Sequence, residues 1–184
     1  MKLRATLALL LAFCGAALVC AAAQPALWID VPFVAQPPDG CGAASISMVM
    51  RYWAKEEGRR SPPVADVRTI QHELFSPKSG GISTSAMQRY FRQSGYRVFA
   101  FQGAWTDLAH HITLGRPLIV GLQASGPLGP LHYVVVVGID VARGFVFVND
   151  PAGQKMLRLS RQGFESEWSH THNWTLLALP APRN

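Results

Sequence analysis

Apolar positions follow two periods along this chain. Up to about Gly95 they recur at helical spacing, and from Tyr96 onward short runs of β-branched and aromatic residues take over. A short extended entry over residues 27–33 runs through Pro37-Pro38-Asp39-Gly40 into a helix predicted over about 42–54, with Ile46, Val49, Met50 and Trp53 on one face. Ser61-Pro62-Pro63 predicts a second helix to about Leu74, serine acting as N-cap and proline filling the first turn. Gly80-Gly81 breaks the chain. Ser83 or Thr84 caps a third helix carrying Met87, Tyr90 and Phe91, and Gly95 ends it.

The second half reads as a strand over 96–101, a helix over 106–114 closed by Gly115, and a buried strand over 117–122. The strongest strand signal is "HYVVVVGI" from His132, followed by "FVFV" from Phe145, and the intervening turn predicts an antiparallel hairpin. Further strands are expected over 155–159 and 174–179, separated by a short helix over 161–168. Helices first and strands after define an α+β class, a helical half packed on an antiparallel sheet.

The first 23 residues alter this picture, because they read as a targeting segment and not as part of the fold. Lys2 and Arg4 precede an apolar run, and Ala21-Ala22-Ala23 before Gln24 is a small-residue cleavage signal. A signal peptide over 1–23 and one domain over 24–184 are therefore expected, with export to the periplasm or the medium. An uncleaved anchor is the less favoured alternative, since the run is almost long enough to span a bilayer. Cys14 and Cys20 follow Phe13 and Val19, which makes them poor lipid acceptors, and both leave with the segment. Cys41 is then the one cysteine of the mature chain, so no intramolecular disulfide is expected. The formal charge of +6 falls to +4 without Lys2 and Arg4, and the remaining basic residues are scattered among acidic ones. This gives no footprint for nucleic acid.

A free cysteine is most often a small buried apolar residue, yet Cys41 stands where a helix begins. The positive end of the helix dipole favours a thiolate there, and Gly42, Ala43 and Ala44 leave room for a second layer to approach. A nucleophilic cysteine needs an imidazole partner, and the imidazole needs an orienting group. Of six histidines, His132 opens the long apolar strand after the loop "ASGPLGPL", and Asp150 closes the paired strand in "FVFVNDP". On neighbouring strands the carboxylate of Asp150 is expected to receive the Nδ1 proton of His132. Gln36, five residues before Cys41 across a Pro-Pro turn, is placed for its amide to join the Cys41 N–H in holding an oxyanion.

The segments "VPFVAQPPDGCGAASISMVMRYW", "GRPLIVGL", "HYVVVVGID", "VFVNDPAG" and "FESEW" resemble successive signatures of the bacteriocin-processing double-glycine cysteine peptidases, in their broader secreted branch. The resemblance covers essentially the whole mature chain. It implies a papain-like cysteine peptidase fold, with Cys41 as nucleophile, His132 as general base and acid, Asp150 as orienter and Gln36 in the oxyanion hole. It departs from transporter-linked members at Asp39-Gly40, where aspartate usually adjoins the cysteine, and at Leu131, where glycine is common. No membrane-spanning bundle and no G-x-x-x-x-G-K-[ST] loop occur, so a peptidase-transporter fusion is not expected.

The other features carry less. His110-His111 and the pair His170 and His172 read as solvent-facing, so no metal and no cofactor is expected. Trp28, Trp53, Trp105, Trp168 and Trp174 read as core or groove-lining residues, and the loop over 124–130 as one wall of a substrate groove. The partner expected is a peptide or protein substrate bound by a monomer. Two other readings compete: an acyl or peptidyl transferase of the phytochelatin synthase type, whose helix-start segment is similar, and a peptide-binding module that keeps the fold without the chemistry.

Overall fold

The computed structural model describes residues 26–124 and 126–182; the expected signal segment lies outside them. The two-period pattern becomes two layers. Helix α1 (Cys41–Glu56) runs buried through the middle, and α2 (Val67–Leu74) and α3 (Thr84–Gln93) flank it. Among the described residues, seven strands form one antiparallel sheet: β1 (Leu27–Trp28), β2 (Tyr96–Gln102), β3 (Leu118–Leu122), β4 (His132–Asp140), β5 (Phe145–Asn149), β6 (Leu157–Ser160) and β7 (Trp174–Pro180). Their order is β2-β7-β3-β4-β5-β6, with β1 paired to the far end of β4. Helices α4 (Trp105–Thr113) and α5 (Arg161–Ser169) pack on the sheet.

Alternation along the strands divides the core in two. Tyr133, Val135 and Val137 of β4 face α1 and the helical layer, while Val134 and Val136 face α4 and α5. α1 shows why a helix carrying two serines can be a core helix: Ser45 Oγ donates to the Tyr133 carbonyl at 3.3 Å, and Ser47 Oγ donates to the Ala65 carbonyl at 2.6 Å. Each hydroxyl is satisfied by a neighbouring element instead of by its own helix. Trp53 Nε1 donates to the Ala178 carbonyl at 2.9 Å, which pins the far end of α1 to β7.

Two expectations shift. Pro62 and Pro63 hold the chain in an extended entry and a short 3₁₀ turn over Pro63–Ala65, so the second helix starts only at Val67. Its cap is Asp66, whose carboxylate accepts from the Thr69 N–H, and not Ser61. The extended entry is paired to the sheet as strand only over Leu27–Trp28. No helix among the described residues is long and apolar enough to cross a membrane.

β1 is held through a close approach at Gly138, beside a bulge between Val136 and Gly138. A Cβ at Gly138 would stand 2.8 Å from the Leu27 carbonyl oxygen and 3.0 Å from Trp28 Cβ. Gly138→Ala should therefore part β1 from β4 and lower stability by about 1–3 kcal/mol, read as a lower urea midpoint with an unchanged slope.

Candidate active site

α1 begins at Cys41 itself, with Gly40 as an N-cap that offers no side-chain acceptor. The first backbone N–H groups of the helix therefore point outward without intrahelical partners, the positive end of the dipole. Gly42 lets this end sit against the sheet: a Cβ there would be 3.0 Å from Ile82 Cβ and 3.4 Å from a Tyr133 ring carbon. Cys41 is half-buried and free.

His132 opens β4, and Asp150 immediately follows its paired strand β5. The β4–β5 ladder ends with Val135 opposite Asn149, which leaves His132 and Asp150 just beyond it at the same end of the sheet, within reach of one another. His132 Nε2 and Asp150 Oδ1 are 2.7 Å apart. This differs from the expected Nδ1 contact. Nε2 is taken by the carboxylate, which leaves Nδ1 free of it, and Cys41 is near enough to the ring to help hold its proton.

The electrostatics follow from these three groups. Burial lowers the pKa of His132, but hydrogen bonds to Asp150 and Cys41 and the charges of both outweigh it and hold the value up to about 9. Asp150 is held below the usual carboxylate range, chiefly by the His132 hydrogen bond against the cost of burial, and then by the His132 charge and the Ala152 and Gly153 N–H groups. His132 is therefore an imidazolium and Asp150 a carboxylate at neutral pH.

Gln36 is half-buried, and its N–H donates to the Pro151 carbonyl at 3.0 Å, which joins the segment before the nucleophile to the Asp150 turn. Its Oε1 is buried without a partner. Asn149 was not foreseen. Fully buried, it donates from Nδ2 to the Val31 carbonyl at 3.1 Å and accepts from the Met156 N–H at 3.0 Å, clamping the turn that presents Asp150. Its signal was the polar residue before Asp150 in "FVFVNDP".

The remaining histidines divide. No cluster of three or more potential metal ligands occurs among the described residues. His110 and His172 are exposed, whereas His111 packs against Phe101 and His170 Nδ1 bonds the Gln123 carbonyl at 2.9 Å. These last two are packing residues rather than solvent-facing ones.

A buried helix that starts at a cysteine, against an antiparallel sheet that brings a histidine and an aspartate to the same end, is the papain-like arrangement. The profile described as Peptidase_C39 like family matches residues 28–175. The chain belongs to that family. Among solved structures, the peptidase domain of Streptococcus ComA, a bi-functional ABC transporter involved in a quorum sensing pathway, superposes with a TM-score of 0.61 at 22% identity, over 82% of this chain and 99% of that one. A C39-like peptidase from Bacillus anthracis gives 0.60 at 16%, over 87% and 100%. A double glycine motif protease from an AMS/PCAT transporter, in complex with the leader peptide, gives 0.60 at 18%, over 84% and 94%. These likenesses carry the fold. No curated protein sequence matches the chain.

Proposed function

We propose that this chain is an exported cysteine peptidase, periplasmic or secreted, that hydrolyses peptide bonds of a peptide or protein. Cys41 is the nucleophile, His132 the acid and base, Asp150 the orienter and Gln36 an oxyanion donor. The observation that carries the reading is the 2.7 Å contact between His132 and Asp150 at the end of the sheet against which α1 begins at Cys41.

Each step follows from a group of this site. The Cys41 sulfur attacks the carbonyl carbon, and the new oxyanion is held by the outward N–H groups at the start of α1 and by the Gln36 amide. The His132 imidazolium gives its proton to the departing amine as the C–N bond breaks, leaving a thioester. Water, deprotonated by the now neutral His132, attacks the thioester, and the acid leaves as the sulfur regains its starting state. Asp150 keeps the ring in place and balances its charge throughout. The ComA domain and the AMS/PCAT transporter protein are a peptidase and a protease by description, and the second is a complex with a leader peptide, which supports a peptide as substrate.

Alkylation of Cys41 by iodoacetamide across pH tests the reading without a known substrate. The rate should persist well below pH 8, where an ordinary thiol of pKa about 8.5 is protonated, and that low-pH reactivity should vanish in His132→Ala. Ordinary reactivity in both proteins would point instead to a peptide-binding module.

A further inference from the structure

β2 is an outer strand of the sheet, and among the described residues it pairs with β7 alone. Its backbone polarity can be read residue by residue. Tyr96 stands opposite Pro180, which has no N–H, and the bonds that flank the ladder run from the Ala181 N–H to the Gly95 carbonyl and from the Gly103 N–H to the Asn173 carbonyl, both at 2.9 Å. Tyr96 and Gln102 therefore stand in non-hydrogen-bonded pairs, and alternation assigns the bonds to β7 to Arg97, Phe99 and Phe101. The N–H and carbonyl groups of Tyr96, Val98, Ala100 and Gln102 point away from β7, toward the open edge.

Sheet edges are ordinarily blunted by shortness, proline, bulges or inward-pointing charges. The opposite edge, β6, is only four residues long. β2 has seven residues, no proline and no break in its register. Phe99 at its centre is 47% exposed, and Ala100 beside it is exposed too. On the α4 side, Phe99 and Phe101 join His111, Arg116, Leu177 and Leu179 around an open groove of about 380 Å³. On the other side, Tyr96 and Val98 pack into the helical layer.

We propose that β2 is a self-association edge: two copies of this chain pair antiparallel through β2, with Phe99 on the two-fold axis, so that one sheet runs through both. This departs from the monomer expected from the sequence. The register is what selects a second copy as the occupant. A two-fold centred on Phe99 sets Tyr96 opposite Gln102, and Val98 opposite Ala100, of the second copy, so every outward backbone group of the strand meets a complementary one. Centring on Val98 or Ala100 would leave one end of the strand unpaired. The one charge of β2, Arg97, falls opposite Phe101 of the second copy, where a guanidinium can lie on the ring, and no like charges oppose each other. The two Phe99 rings form the non-hydrogen-bonded pair on the axis, the closer kind, and leave water together. An unrelated extended peptide could use the same backbone groups, but a second copy supplies the Arg97–Phe101 pairing twice. The Gln102 end of β2 lies toward the His132 end of the sheet, with β7 and β3 between. Antiparallel pairing thus sends the two candidate sites to opposite ends of the dimer and covers neither.

The test is sedimentation velocity of the mature protein from about 1 to 200 µM, a range suited to a joint at the small end of protein interfaces. The expected result is a monomer–dimer equilibrium with a Kd on the order of 10 µM. Phe99→Lys sets two lysines against each other across the axis and should weaken association more than about tenfold, as should Phe99→Glu. An equimolar mixture of those two variants should dimerise again, because unlike charges then meet. Ala100→Pro should also abolish the dimer, since it removes an outward N–H and none that bonds β7; urea midpoints of the variants confirm that each still folds. Amide hydrogen exchange gives an independent readout: Val98, Ala100 and Gln102 should slow as concentration rises, while Phe99 and Phe101, already bonded to β7, should not change. A monomer at every concentration overturns the proposal. So does a dimer that persists in Phe99→Lys and Ala100→Pro, or exchange at Val98, Ala100 and Gln102 that ignores concentration.

Discussion

Cys41→Ala will abolish turnover of any peptide substrate while leaving the fold in place. The fall expected in kcat is on the order of 10⁴- to 10⁶-fold, because a nucleophile acting in a unit with its base cannot be replaced by the rest of the site. The fold should survive because the change removes one sulfur from a half-buried residue at a helix start, where the backbone already adopts the geometry that alanine prefers. α1 stays anchored by the Ser45, Ser47 and Trp53 hydrogen bonds, none of which involves the thiol. Chromatographic assay of peptide cleavage beside urea denaturation separates the two effects. A variant that still turned over at the parent rate would remove Cys41 from the chemistry, and one that failed to fold would make it a packing residue.

Much of this site could be read before any coordinates, for a physical reason. The side chains of this candidate site are hung on element ends, and element ends are marked by local rules. Cys41 stood between a proline-rich turn and small residues, His132 opened the longest apolar strand, and Asp150 closed the next one. The signals that failed were those set by distant packing. Which imidazole nitrogen meets the carboxylate is set by the rotation of the His132 ring about its side-chain bonds, which no local pattern encodes. The start of α2 went to Asp66 because two prolines kept the preceding residues extended, which competed with an equally legible serine cap. His170 read as exposed because its partner, the Gln123 carbonyl, is 47 residues away in the chain.

Asp150→Asn should cost about 10²- to 10⁴-fold in kcat/KM near pH 8 and move the alkaline limb of the pH profile downward. His132 must be an imidazolium to pair with the sulfur and to protonate the leaving amine, so activity in the parent protein should be lost as pH rises through about 9, where the ring gives up its proton. That value is high because the Asp150 hydrogen bond and charge, together with Cys41, overcome the opposing effect of burial. Asparagine removes the charge, burial gains weight, and the ring deprotonates at lower pH. The variant should therefore recover part of its activity when the assay is made more acidic, while the parent should not. The loop itself is preserved, since an asparagine oxygen can still accept from the Ala152 N–H that Asp150 Oδ1 now receives at 2.9 Å. A residue that only shaped the turn would lower activity evenly across pH. A downward shift of the limb, measured as kcat/KM from pH 5 to pH 10, is thus the signature of a carboxylate acting through the imidazole, and an unmoved limb would leave Asp150 as scaffold alone.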